Sequence, residues 1–310
     1  MASSTSYVCT LTAEQSNQLK TLLAERGWTL DTIQYARWRA KKDKMSVVSY
    51  ESGKLTIQGK GTADFVQFTL ETEILHEARY GYEKELAQIE NPMMFEPHAG
   101  IDESGKGDYF GPLVVACAYT DAATTNILME AGVADSKTIS SDAKMMALDA
   151  VIRKACAGKF SLVTIGPEAY NRLYSSFGNL NRLLAWGHAK ALEELLALVP
   201  SCQRAISDQF AQSEATVRRA LQTRGRQIVL EQHPKAEADI AVAAASILAR
   251  AEFVRLLKRL GEGIGKTLPK GGGPLVKAMA KELAAEGGFD ALAKVAKLHF
   301  SITEEALSEQ

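Results

Sequence analysis

The chain has 310 residues, of which 46% are hydrophobic and 24% charged, and its formal net charge at pH 7 is -1. This balance is typical of a folded globular protein, and it excludes a disordered chain or a strongly basic one. The four cysteines lie far apart without a C-x-x-C pair, so neither a disulfide framework nor a zinc knuckle is indicated.

The first ninety residues predict a small α+β domain. A capping box that begins at Thr12 starts a helix that ends by Gly27. The hydrophobic period then becomes alternating, and Ser52-Gly53 supplies a turn between two strands. Strands are predicted at residues 32–39, 45–50 and 54–58, and a second helix at residues 63–75. We expect an antiparallel meander with one basic face that also carries aromatic residues.

Two stretches of the chain carry an excess of basic residues. Residues 37–60 contain seven lysines and arginines against two acids, and residues 258–281 contain six against one. Taken alone, such a run is more often a solvated surface than a track for phosphates. A second indication of nucleic-acid chemistry is needed before either stretch is interpreted as a binding surface.

A break in pattern predicts the domain boundary. The segment 91–97 contains two prolines and is the expected linker between a domain of residues 1–90 and one of residues 98–310. From residue 98 onward, strands and helices alternate as in an α/β domain. Strands are predicted at residues 99–102, 113–119, 160–165, 204–207 and 227–230, and helices at residues 140–157, 179–198 and 238–260.

Acidic residues follow two of these predicted strands. Asp102 and Glu103 stand at the end of the first strand, and Asp208 stands in the same position on another. If the strands are neighbours, these acids share one crevice at the carboxyl edge of the sheet. Glu237 or Asp239 can add a further carboxylate from the start of the alanine-rich helix. Carboxylates without histidine or cysteine ligands favour Mg²⁺ or Mn²⁺, and a pair of such ions can hydrolyse a phosphodiester.

Any one of these acids, taken alone, is more often a cap of a helix or turn than a metal ligand. The metal interpretation depends on the set of acids meeting in one place. Two glycine-rich stretches offer a rival, a nucleotide-dependent enzyme, but neither fits it. The glycines of 105–111 lack the dinucleotide spacing and precede a strand, and residues 261–267 follow a helix where a P-loop follows a strand. We expect no nucleotide cofactor.

The stretch Gly-Ile-Asp-Glu-Ser-Gly-Lys-Gly-Asp-Tyr-Phe-Gly-Pro, residues 100–112, resembles the signature of the type 2 ribonucleases H, and specifically of their ribonuclease HIII branch. Further blocks in the family's order are Asp135-Ser136-Lys137, Ser207-Asp208-Gln209-Phe210, Lys235-Ala236-Glu237 and Leu268-Pro269-Lys270-Gly271. The first domain is similar in predicted architecture to the TATA-box-binding-protein-like domain of this branch. The resemblance implies an α/β fold, ribonuclease H-like with a mixed central sheet, behind a small α+β substrate-binding domain.

The resemblance also implies roles for the acids. Asp102, Glu103 and Asp208 would be metal ligands and catalytic residues. Ribonucleases HII carry an aspartate in a Lys-Ala-Asp motif, and this chain has Glu237 at that place, so Glu237 is the expected fourth catalytic acid. Asp239, two residues further, remains the rival.

Substrate contacts are implied for the glycine-rich turn. Gly105, Lys106 and Gly107 would grip the strand near the scissile phosphate, because glycines let the main chain approach sugar and phosphate closely. Ser104 and Tyr109 are further candidate contacts, although a structural role in the turn is an equal alternative for each.

The resemblance therefore implies an endonuclease that cuts the RNA strand of RNA-DNA hybrids with Mg²⁺ or Mn²⁺, leaving 3'-hydroxyl and 5'-phosphate ends. One alternative is a ribonuclease HII-like enzyme that incises at single ribonucleotides embedded in DNA, and another is a hybrid-binding module without catalysis. No secretory leader pattern and no long apolar run are present, so we expect a cytoplasmic protein that does not contact membranes. We also expect a monomer, which suits an enzyme that follows an extended duplex.

Overall fold

The computed structural model describes residues 5–133, 139, 141–208, 215–234 and 236–308. The chain divides into two compact units, Met1–Glu90 and Asn91–Gln310. The motif Asp135-Ser136-Lys137, together with Gln209, Phe210 and Lys235, lies outside the described residues.

The first unit is an antiparallel five-stranded sheet packed against helices. Its strands have the order β1-β5-β4-β3-β2. The strands are β1 (Ser6–Thr10), β2 (Thr29–Asp31), β3 (Ala36–Lys42), β4 (Met45–Tyr50) and β5 (Lys54–Gly59). The helices are α1 (Ala13–Glu25), α2 (Thr62–Phe65), which continues as a π-helix over Val66–Leu75, and α3 (Glu83–Glu90).

Local sequence explains most of this unit. The predicted capping box at Thr12 is present, with its hydroxyl accepting from the Gln15 amide at 3.1 Å and its amide donating to the Gln15 side chain at 3.0 Å. The α1 helix buries Leu19 and Leu23 on one face of the sheet, beside Trp38 of β3. The other face is therefore left exposed.

Two elements of this unit differ from the sequence prediction. The predicted strand over residues 32–39 begins only at Ala36, because residues 34–35 form a turn in which Tyr35 takes a left-handed φ of 64°. The predicted helix over residues 63–75 is helical throughout, but from Val66 onward its hydrogen bonds follow the wider π pattern.

The second unit is built on a mixed five-stranded sheet of order β10-β9-β6-β7-β8. Its strands are β6 (His98–Ser104), β7 (Leu113–Thr120), β8 (Phe160–Ile165), β9 (Arg204–Asp208) and β10 (Val229–His233). Its helices are α4 (Ala122–Glu130), α5 (Asp142–Ala155), α6 (Pro167–Phe177), α7 (Leu180–Leu198), α8 (Ala215–Ala220), α9 (Ile240–Gly263), α10 (Pro274–Val295) and α11 (Ser301–Leu307). The first three strands are antiparallel neighbours, whereas β9 runs parallel to β6 and to β10. The predicted mixed sheet is confirmed.

Alternating residues of β6 face different neighbours. Ala99 and Ile101 belong to a core cluster with apolar residues of α7, whereas Gly100 lies directly against the start of α9. The sequence from Ile240 to Ala251 is almost entirely small or aliphatic and buried, so α9 approaches the sheet closely. Among the described residues, no helix is both long and apolar enough to cross a membrane.

Gly100 should be required for this close approach. A Cβ added there would lie 2.1 Å from the carbonyl carbon of Ala241, which is backbone and has little freedom to move. We expect Gly100→Ala to lower the free energy of unfolding by about 1–3 kcal/mol, measured by urea denaturation. Gly263→Ala is the control, because nothing lies within 4 Å of a Cβ at that helical position. Equal stability of the two variants would contradict the packing argument.

Candidate active site

The structure places Asp102 and Asp208 side by side. Strand β6 pairs with β9 in parallel, and Ile101 lies opposite Ser207. Asp102 and Asp208 are the next residues on each strand, so both stand at the carboxyl edge and point to the same side of the sheet. The Asp208 carboxylate accepts a hydrogen bond from the Ala236 amide at 3.4 Å.

Asp102 and Glu103 point to opposite faces of the sheet, because successive side chains of a strand alternate. Asp102 accepts hydrogen bonds from Ser246 of α9 and from the Glu103 amide, the latter at 2.8 Å. Glu103 turns toward α7, where its Oε2 lies 2.9 Å from Nε2 of His188. Its Oε1 lies 3.7 Å from the Lys106 amine. The adjacent acids are therefore held by different elements.

The two carboxyl groups differ in their pKa. Burial and the charge of Glu103 raise the pKa of Asp102 to about 7, against the lowering effect of the Ser246 hydrogen bond. Burial also acts to raise the pKa of Glu103, but the hydrogen bond and charge of His188, together with Lys106, lower it overall. Glu103 is the ionised member of the pair, and Asp102 carries the uncompensated cost of a buried charge.

These residues fit a divalent cation by the chemistry of their donors. The groups at the strand ends offer carboxylate oxygens, which are the ligands that Mg²⁺ and Mn²⁺ prefer. A cation beside Asp102 would supply the positive charge that its raised pKa indicates is missing. Within the described part of the chain, no three acidic, histidine or cysteine side chains already converge as a preformed metal cage.

The structure separates the two candidates for the fourth acid. Asp239 caps the N-terminus of α9, where its carboxylate accepts from the Ala241 amide at 2.8 Å and the Val242 amide at 3.3 Å. It also lies 3.0 Å from Nε2 of the fully buried His98. Glu237 lies in the short 3₁₀ turn just before, half-buried beside Ala236. Asp239 is thus occupied by structural contacts.

The glycine-rich turn is shaped by its glycines. Gly105 has a φ of +89°, and a Cβ there would lie 2.2 Å from the Pro112 carbonyl oxygen, so only glycine fits without strain. Gly107 has open space around it, and the Lys106 side chain is 38% exposed. Ser104 is half-buried at the end of β6. The turn therefore offers an accessible main chain and an accessible cation.

Tyr109 lies in the core, where it has no exposed surface, and its hydroxyl lies 3.1 Å from Thr303 Oγ1. Any part that it takes in substrate binding must act through the shape of the turn.

Sequence reasoning missed Lys297, which is fully buried and donates to the carbonyl oxygens of Asp108 and Gly111, each at 2.7 Å. Burial lowers the pKa of Lys297 to about 7. The only sequence feature that could have indicated this role of Lys297 is that it is a single lysine in the apolar stretch after α10.

A mixed sheet with aspartates side by side near the ends of two parallel strands is typical of the ribonuclease H-like class of nucleases. A family model described as Ribonuclease HII matches residues 99–303, and one described as Domain of unknown function (DUF3378) matches residues 6–79. The chain belongs to the type 2 ribonuclease H family, in its ribonuclease HIII branch.

Individual relatives extend over both units. The chain is 42% identical to Ribonuclease HIII of Chlamydia pneumoniae over 303 residues, which cover 97% of this chain and 98% of the relative. It is 40% identical to Ribonuclease HIII of Protochlamydia amoebophila, over all of this chain and 99% of the relative. The crystal structure of Bst-RNase HIII in complex with Mn²⁺ matches with a TM-score of 0.66 and 28% identity, covering 98% of each chain.

The raised pKa of Asp102 predicts a pH dependence of the metal-free protein. Folded Asp102 keeps its proton up to a pKa of about 7, whereas the unfolded chain releases it near the ordinary aspartate pKa of 3.8. The folded state then binds the extra proton in this window, so the free energy of unfolding falls as pH rises through it. Asp102→Asn should remove this fall and be more stable than the wild type at pH 8 by about 4 kcal/mol, measured by urea denaturation with chelator.

The exposed Asp64 provides the control, since Asp64→Asn should follow the wild-type pH profile. An Asp102→Asn variant no more stable than wild type at pH 8 would show that the Asp102 charge is already compensated without a cation.

Proposed function

We propose that Asp102, Glu103, Asp208 and Glu237 are the catalytic carboxylates with which this chain hydrolyses the RNA strand of RNA-DNA hybrids, leaving 3'-hydroxyl and 5'-phosphate ends. Membership of the ribonuclease HIII branch gives the reaction, which depends on a divalent metal. The observation that carries the assignment of residues is the pairing of β6 with β9, which sets Asp102 beside Asp208. The Mn²⁺ complex of Bst-RNase HIII supports Mg²⁺ or Mn²⁺ as the cofactor.

Each carboxylate has a distinct part in this proposal. Divalent cations, when bound, supply an activated water and neutralise charge at the leaving oxygen. Asp102 and Asp208 would hold such cations on the α9 side of the sheet edge, and Glu103 would contribute from the α7 side. Glu237 would help to orient the water or the second ion from the 3₁₀ turn, a position that leaves Asp239 to cap α9.

The glycine-rich turn is the proposed grip on the RNA strand. The open main chain at Gly107 allows close approach to a sugar and its 2'-hydroxyl, which distinguishes RNA from DNA. Lys106 lies between Glu103 and solvent and can contact the phosphate next to the bond that is cut. Ser104 and Gly105 complete this surface.

The first unit, residues 1–90, is proposed as a TATA-box-binding-protein-like domain that holds the hybrid, with residues 91–97 as a linker to the catalytic domain of residues 98–310. Its support is the exposed sheet face, where β3 presents basic side chains while Trp38 and Ala40 point into the core. The basic residues on this face are Arg37, Arg39, Lys41 and Lys54. Asp31 pairs with Arg39 through two short contacts of 2.7 and 2.5 Å.

We further propose that the enzyme acts as a monomer in the cytoplasm. Sedimentation of the purified chain with a short hybrid tests the stoichiometry, for which one protein per site is expected.

Variants of the two acids before and at the start of α9 test the fourth ligand. We expect Glu237→Gln to lower kcat on a labelled hybrid by at least about 100-fold with little change in thermal stability, because it removes a catalytic charge. Asp239→Asn should instead lower the free energy of unfolding by about 1 kcal/mol, because it removes a carboxylate oxygen that faces Nε2 of the buried His98, and it should keep most of the activity. The reverse pattern would assign the role to Asp239.

The basic sheet face makes a separate prediction. Arg37→Gln and Lys54→Gln should each raise KM for the hybrid several-fold, leave kcat nearly unchanged, and reduce the slope of log affinity against log salt by about 1. Lys20→Gln is the matched control, since Lys20 is exposed on α1 rather than on the sheet face. An equal effect of Lys20→Gln, or a loss confined to kcat, would contradict a binding role for this face.

A further inference from the structure

A buried histidine connects the two strands that carry the proposed metal ligands. His188 of α7 has no exposed surface, and its Nε2 lies 2.9 Å from Oε2 of Glu103. Its Nδ1 lies 3.1 Å from the Ser207 hydroxyl, which itself donates to the Asp208 carbonyl oxygen at 3.0 Å. One imidazole thus contacts the side chain at the end of β6 and, through Ser207, the main chain at the end of β9.

The carboxylate sets the direction of one of these hydrogen bonds. A carboxylate only accepts, so Nε2 donates to Glu103. The Ser207 hydroxyl lies within hydrogen-bond distance of both Nδ1 and the Asp208 carbonyl oxygen. The ring therefore has one orientation that satisfies both contacts, and that orientation fixes one oxygen of Glu103.

Stability alone gives a poor account of this arrangement. Burying a charged pair costs desolvation on both sides, and well-packed apolar residues of similar volume are often as stabilising or more so. The α7 helix is otherwise apolar on this side, with Leu184, Ala185 and Leu192 in the same core. The polar side chain at this place contacts Glu103 and, through Ser207, the main chain of Asp208, which are both residues of the proposed site.

We propose that His188 is a positioning residue for the metal ligands: it holds Oε2 of Glu103 and leaves Oε1 on the side of Lys106, and through Ser207 it fixes the end of β9 at Asp208. This inference rests on the proposed function of Glu103 and Asp208. Partners that orient a ligating carboxylate typically change metal affinity by 10–100-fold when they are replaced. The expected effect is thus on cation binding, rather than on contact with the hybrid.

Two substitutions of His188 separate its nitrogens. The amide nitrogen of glutamine can take the place of Nε2 and keep the hydrogen bond to Glu103. The asparagine side chain is shorter, so its amide nitrogen can reach only toward Ser207. We expect His188→Asn to weaken Mn²⁺ binding at least about 10-fold, measured by titration calorimetry on the full chain without substrate. It should lower kcat on the hybrid at limiting Mn²⁺ and leave KM for the hybrid unchanged. His188→Gln should recover most of the lost affinity.

Controls distinguish this inference from the proposed function. His76→Asn changes an exposed histidine of the first unit and should leave Mn²⁺ affinity at the wild-type value. Glu103→Gln should lose both Mn²⁺ affinity and cleavage. If Glu103→Gln retains both, the proposed ligand set is wrong. If Glu103→Gln loses them while His188→Asn binds Mn²⁺ like the wild type, only the positioning role is overturned.

Ser207→Ala keeps the test valid if the His188 variants do not fold. It removes the Nδ1 partner and leaves the Glu103 contact in place, so Mn²⁺ affinity should fall by a few-fold with a small change in thermal stability. Unchanged Mn²⁺ affinity in a folded Ser207→Ala variant would contradict the connection between the strands. Equal loss in His188→Gln and His188→Asn would contradict the specific role of the Glu103 bond.

Discussion

The catalytic unit is organised around the cost of holding two adjacent carboxylates at the end of one strand. The strand geometry sends Asp102 and Glu103 to opposite faces, so each meets a different helix. His188 of α7 and Lys106 stabilise Glu103 in its charged form, whereas the Ser246 hydroxyl, a main-chain amide and the charge of His188 do not offset the effect of burial and of Glu103 on the pKa of Asp102. The protein thus compensates the charge of one carboxylate internally and not that of the other. This asymmetry is the feature on which the proposed metal site depends, since a pair of structural caps would not require it.

The glycine-rich turn depends on contacts from the far end of the chain. Gly105 gives the turn its shape, but the segment that follows is held by the Lys297 amine and by the contact of Tyr109 with Thr303. These anchors lie in the core and leave Lys106 and Gly107 accessible. A flexible loop would bind its substrate more weakly, because ordering the loop costs conformational entropy. A turn that is already fixed by contacts in the core avoids much of that cost.

Several features could be predicted from local patterns alone. The capping box at Thr12 and the placement of Asp102 and Asp208 near the ends of strands depend on nearby residues, although β6 continues two residues past the predicted end, to Ser104. The alternation of strands and helices along the chain predicted the α/β sheet. Tyr35 shows the limit, because its left-handed backbone is set by the turn into β3 and no alternation reveals it. The contact of His188 with Glu103 could not be predicted for another reason, since the two residues are 85 positions apart in the sequence. A single histidine on an apolar helix face also forms no spacing pattern that would indicate a functional role.

The topology of the catalytic sheet also affects how the chain folds. Strand β6 pairs early with β7, its neighbour in sequence, but its other edge waits for β9, which is synthesised about a hundred residues later. Until then, the backbone of β6 exposes unpaired amides and carbonyls, and the surface at Gly100 that later packs against α9 remains exposed. A chain that is still being synthesised therefore has an incomplete sheet with an unpaired, aggregation-prone edge. It can become active only after most of its length has been made.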